Sequence, residues 1–240
     1  MFMRTGFVTA MLLAMSLPAA AKDISNIGAL TQSEFHGLTQ DLGSALSYKP
    51  LEPAEPLGLF GFDVGVAATD TKIKNSDAFN AAGAGNISSI AVPSLRLNLG
   101  LPFGLDVGAM AGEVPGTNVR LYGGELRWAF IKGSTTMPAI ALRGSYTQLA
   151  GVDQLDFNTK GLDLSISKGF AMFTPYAGIG KVWVTSTPKN IPSATPSKES
   201  LSENKYFVGV NMNFFLINIA LEADKTGDDT SYGLKLGFRF

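Results

Sequence analysis

The chain has 240 residues, a formal charge of −1 and no cysteine, which excludes a disulfide framework, thiolate chemistry and a basic face for nucleic acid. Charged residues make up 16% of the chain while glycine (27 residues) and aromatics (10%) are plentiful. Beyond the N-terminus no segment holds the roughly 20 unbroken apolar residues of a helical membrane span, so any crossing of a bilayer falls to strands.

The N-terminus pairs Arg4 with an apolar run over residues 7–17 and then Pro18-Ala19-Ala20-Ala21. A basic residue, a short apolar stretch and a small-residue site predict an export signal cleaved after Ala21. Over residues 31–48 the period is helical, with Phe35, Leu38, Leu42, Ala45 and Leu46 at steps of three and four. Thr31 and Glu34 have capping-box spacing, Pro50 stops the helix, and Gly37 and Gly43 weaken it. Residues 49–56 carry Pro50, Pro53 and Pro56, which predict a stiff, extended linker. Two placements of the helix stay open: a plug or gate folded back into whatever follows, or a helix outside its rim.

From residue 57 the period changes to two, and ten strands are expected. Sorting each by face places Asp63 inward on the first and Arg96 on the second. Asp106 falls inward on the third, Glu125 and Arg127 on the fourth, and Arg143 on the fifth. Asp163 is assigned inward on the sixth, Lys181 on the seventh, Glu222 on the ninth, and Lys235 and Arg239 on the tenth. The seventh is ambiguous, and Lys181 rests on reading Val182 and Val184 as outward. Gly123-Gly124 is a candidate bulge. Residues 74–85 and 188–204 are the two longest connections, the second proline- and serine-rich and expected to be mobile. Five inward acids against six bases predict ion pairs that neutralise one another more readily than a single-sign filter would.

The last strand alternates Tyr232, Leu234, Leu236, Phe238 and Phe240 with Gly233, Lys235, Gly237 and Arg239. Its apolar face has no later segment to cover it, which points to lipid. The pattern resembles the C-terminal strand of Gram-negative outer-membrane β-barrels, where the terminal aromatic and alternate apolar residues serve as the assembly signal. Stretches such as residues 173–180, 104–108 and 142–146 are similar to small OmpA/OmpW-like barrels. The helix, proline linker and Leu57 to Phe62 opening resemble an uncharacterised proteobacterial barrel family without a settled activity.

The expected fold is therefore all-β, a ten-stranded antiparallel up-and-down transmembrane barrel with a short N-terminal helix. Its divisions are residues 1–21 as signal peptide, 22–56 as helix and linker, and 57–240 as barrel. The resemblance implies outer-membrane lipid and lipopolysaccharide, the barrel-assembly machinery and periplasmic chaperones as partners, and an outer-membrane location. The only histidine, His36, lies on the pre-barrel helix, so a Ser-His-acid constellation at the outer rim is not expected, nor any cofactor. Asp224, Asp228 and Asp229 read as a solvated turn rather than a metal site. Two functions remain: a narrow or helix-gated channel for small solutes, and a structural or adhesin-like barrel acting through its outer loops.

Overall fold

The computed structural model describes residues 23–192 and 195–240; the expected signal peptide lies outside the described residues. One helix, α1 (Gln32–Leu46), precedes ten strands. These are β1 (Phe62–Lys72), β2 (Ser89–Gly100), β3 (Leu105–Glu113), β4 (Arg120–Lys132) and β5 (Ala139–Ala150), then β6 (Leu155–Ser167), β7 (Phe173–Pro188), β8 (Glu199–Phe214), β9 (Ile217–Thr226) and β10 (Asp229–Arg239). Each strand pairs antiparallel with its sequence neighbours, and β1 pairs with β10 from Asp63↔Arg239 to Lys72↔Thr230, so the barrel closes without a free edge. Phe240 completes the seam: its N–H donates to Phe62 O (2.9 Å), its O accepts from Phe62 N (2.8 Å), and the two rings lie 5.9 Å apart.

Alternation sets the two faces. Leu95, Leu97, Leu99, Leu126, Leu164 and Leu221 are all exposed on the outside of the closed wall. Aromatic side chains ring this band at both ends, with Tyr122, Tyr146, Trp183, Tyr206 and Tyr232 toward one rim and Phe62, Trp128, Phe173, Phe215, Phe238 and Phe240 toward the other. An apolar belt between two aromatic girdles is the surface of a membrane-spanning barrel. Among the described residues no helix is long and apolar enough to cross a membrane. The turns at one rim are short, and both barrel ends meet there, which makes it the periplasmic rim; the longer connections form the outer one.

The inside has two storeys. Toward the outer rim, Phe35, Leu38, Leu42 and Leu46 of α1 pack with Leu121, Leu149, Phe157, Val182 and Val184 of the wall in one buried apolar cluster. The cluster continues into the first outer loop, where a short helix absent from the sequence reading, α2 (Ser76–Ala81), buries Ala78 and Phe79 against it. The periplasmic storey is polar, with Asp63, Arg127, Arg143, Asp163 and Lys235 buried. Helix α1 is therefore inside the barrel, and its placement beyond the periplasmic rim is overturned: its apolar stripe finds an apolar wall only in the outer storey.

Three expectations need correction. The irregularity in β4 falls between Ala129 and Ile131 rather than at Gly123-Gly124, where the ladder to β5 is regular. The connection expected over residues 188–204 is shorter, because Glu199 to Asn204 already pair with β7 as the start of β8. On β7 the parity is reversed: Val182 and Val184 are buried and inward, and Lys181 is exposed on the outer face beside Ile179 and Trp183. The apolar stripe of α1 is what draws the two valines in, and a contact between segments so far apart leaves no trace in the local pattern. Replacing Leu97 on the lipid face with Arg should lower stability by about 2–4 kcal/mol if it sits near the bilayer midplane, measured by denaturant titration of barrels folded into lipid vesicles.

Candidate functional site

The outer end of the N-terminal segment is fastened to the loops around it. Asp23 Oδ1 accepts from Asn118 N (2.7 Å), Ser25 and Asn26 N–H groups donate to Ala82 O (both 3.1 Å), and Ile27 N donates to Gln154 Oε1 (2.9 Å). Thr31 then caps α1: its N–H donates to Glu34 Oε2 (2.8 Å) and its Oγ1 accepts from Glu34 N (3.3 Å), the expected capping box. The Thr31 backbone N–H, and secondarily its hydroxyl, hold the Glu34 carboxyl below its ordinary value. One turn lower, Asp41 accepts from the N–H groups of Lys74 (3.2 Å) and Asn75 (2.8 Å) and from Asn75 Nδ2 (2.7 Å), tying α1 to the first outer loop. Burial raises the Asp41 carboxyl, against the pull of those donors. The glycines that weakened the helix in sequence are where it touches its surroundings. A Cβ on Gly37 would lie 2.8 Å from Asn75, and one on Gly43 would lie 2.6 Å from Val184 Cγ2.

Below α1 the proline linker runs down the polar storey, and the wall binds its backbone at nearly every step. Lys205 Nζ donates to Tyr48 O (2.7 Å), Arg96 Nη1 to Lys49 O (2.6 Å) and Arg127 Nη1 to Pro53 O (2.7 Å). The linker N–H groups donate in turn: Leu51 to Glu222 Oε2 (2.8 Å), Glu55 to Ser167 Oγ (3.2 Å) and Leu57 to Asp106 Oδ1 (3.1 Å). An extended segment makes no internal hydrogen bonds, so inside a closed barrel the wall must supply them. Pro50, Pro53 and Pro56 carry no N–H and so reduce what has to be satisfied.

At the centre is Glu52. Its Oε1 lies 3.0 Å from Arg127 Nη1 and 3.4 Å from Arg143 Nη2, and its Oε2 lies 3.7 Å from Arg239 Nη2 and accepts from Asn98 Nδ2 (3.3 Å). Guanidiniums from β4, β5 and β10 thus converge on one carboxylate that belongs to none of the strands. Each has a second acid: Arg127 with Asp106 (2.8 Å), Arg143 with Glu125 (2.6 Å), and Arg239 with Asp63 (2.7 Å). Lys235 also holds Asp63 (2.7 Å), Lys205 holds Asp163 (3.3 Å), and Lys49 pairs with Asp224.

The inward residues read from sequence are found there except Lys181, which faces outward for the reason given above. Arg96 lies in the lumen, but its partners are the Lys49 carbonyl and the Tyr48 ring, 5.1 Å from its guanidinium carbon. Tyr232, Leu234 and Phe238 are exposed on the outside of β10, and Phe240 is exposed at the seam. Sequence reading missed Lys49, Glu52, Lys205 and Asp224. Glu52 passed as a linker residue because its flanking prolines mark extension and not burial, and Lys205 fell at an expected strand start. Asp224, grouped with the last turn, is buried on β9 and bound to Lys49.

Interleaved, mutually paired charges filled by a backbone make a closed polar core, not a single-sign filter. Among the described residues no group of three or more His, Asp or Glu side chains is arranged to hold a metal ion. His36 is half-exposed on α1, with Nδ1 3.3 Å from Glu199 Oε2. Closed wall, lipid belt, paired girdles and terminal aromatic strand together decide the class. The chain is an outer-membrane β-barrel.

No protein-family model and no curated protein matches the sequence. Among solved structures, the N-terminal barrel domain of Pseudomonas aeruginosa OprF is similar at 16% identity, with 76% of this chain and 99% of that chain covered and a TM-score of 0.37. KdgM porin, solved with disordered oligogalacturonate, is 8% identical over 75% of this chain and 99% of that one, with a TM-score of 0.40. The outer membrane protease OmpT from Escherichia coli is 9% identical over 75% and 96%, with a TM-score of 0.36. These neighbours include a porin and a protease, and at such values the likeness carries nothing about activity. Replacing Glu52 with Gln leaves three buried guanidiniums short of a counter-charge and should cost about 3–5 kcal/mol, read as a lower denaturant midpoint of the folded barrel in detergent.

Proposed function

We propose that the protein is a non-enzymatic outer-membrane barrel closed at rest by its own N-terminal segment, a plug-gated narrow passage for small solutes. The observation that carries this reading is the seat of Glu52 among Arg127, Arg143 and Arg239, which fixes the segment at the centre of the lumen. Ten strands enclose a lumen intermediate between filled eight-stranded barrels and wide porins, so removing the segment would leave a small passage. Its walls would carry both signs of charge, which favours small polar solutes over ions of one sign. The absence of catalytic chemistry is inferred from His36, whose imidazole partner is Glu199 in an exposed contact at the outer rim.

A second reading, a surface-interaction barrel, draws on the outer loops: α2 and residues 23–30 are packed over the outer mouth with Ile24, Ile27, Leu30 and Phe79 buried, making a compact platform. Planar-bilayer recording separates the two. The intact protein should be silent or nearly so, and a variant lacking residues 22–50 that keeps its heat-modifiable gel migration should conduct. Glu52→Gln should raise the frequency of openings without changing their size. A silent deletion barrel would sink the channel reading and favour the platform.

A further inference from the structure

From the direction of the N-terminal segment we infer that it is a captive plug: it enters the barrel at the extracellular mouth, leaves at the periplasmic mouth, and the wall closes around it during assembly. The inference takes the outer-membrane orientation of the barrel and does not depend on whether the barrel conducts.

Three sets of contacts fix the direction. Residues 23–32 bind the outer connections, through Asn118, Ala82, Gln154 and Ser197. In mid-barrel, Ser44 Oγ donates to Thr226 O, Lys49 pairs with Asp224, and Leu51 N donates to Glu222. At the periplasmic rim, Leu57 N donates to Asp106, Gly100 N donates to Gly61 O, and Phe62 opens β1. The chain therefore crosses the lumen once, downward, before its first strand rises. Between Lys49 and Leu51 it advances two residues while its β9 partners step from Asp224 to Glu222. The linker thus runs at about the rise of a strand and holds little slack.

A taut segment tethered below to β1 and capped above by the loops has no simple exit. Leaving upward would need linker length that is already extended. Leaving downward would drag the apolar stripe of α1, and the residues packed over the mouth, through the polar storey. Entry after closure faces the same barriers. The seam itself uses the segment, because Arg239 on β10 holds both Glu52 of the linker and Asp63 of β1. The last strand thus docks onto a strand and a plug together. A captive plug opens a passage by rearranging within the lumen, and residues near Asp23 face the cell exterior.

The chain contains no cysteine, so one introduced thiol is a clean probe. In intact cells, Asp23→Cys should react with a membrane-impermeant maleimide as readily as Lys198→Cys in an outer loop. Thr135→Cys, in a periplasmic turn, should react only after the outer membrane is permeabilised. Reaction of Asp23→Cys only after permeabilisation would overturn the threading. For the order of events, full-length Ser44→Cys or Thr39→Cys is refolded into detergent and pulse-labelled, using whichever variant reaches the wild-type gel shift. Protection of the thiol should precede or coincide with the shift. A species with the folded shift and a still-reactive thiol that becomes protected later would show a plug inserted into a finished barrel.

Discussion

Inside a membrane-spanning barrel, a backbone hydrogen-bonding group without water needs a partner from the protein. The strands meet this requirement by closing the sheet, but residues 47–57 bring a second set of carbonyls and N–H groups into the same space. The lumen charges answer that set. Lys205, Arg96 and Arg127 take carbonyls; Glu222 and Asp106 take N–H groups. Most of the lumen chemistry follows from the need to solvate one extended segment.

The same requirement explains the division of the interior. A helix satisfies its own backbone, so α1 can sit against hydrocarbon side chains, and the outer storey is apolar. The proline linker cannot, so the storey around it is polar. Glu52 lies below the boundary between the two, and its carboxylate offsets guanidiniums that would otherwise repel one another. The buried acids and bases gain their stability as a set, since removing one member strands the others in a low-dielectric interior.

Much of this was legible in the residues. The change of period at residue 57, the ten alternating segments, the capping box at Thr31 and the three prolines each declare themselves locally, because a strand's faces, a helix cap and a fixed φ depend on neighbours a few positions away. The acids and bases on the inner face could be named from parity wherever the apolar partners were unambiguous. On β7 they were not: Val182, Lys181 and Trp183 form a mixed run in which either parity leaves apolar residues on both faces.

Local chemistry was enough for the class, the strand parity on nearly every strand, and the presence of a helix and a stiff linker. What it left open was where they go. Glu52 and Lys49 look like solvent-exposed linker residues until the closed wall brings Arg127, Arg143, Arg239 and Asp224 around them from positions 75 to 187 residues further along the chain. The facing of Lys181, the seat of α1 in the outer storey and the downward course of the segment likewise depend on contacts made only once β10 meets β1. Alternation is a property of one strand, whereas occupancy of the lumen is a property of all ten.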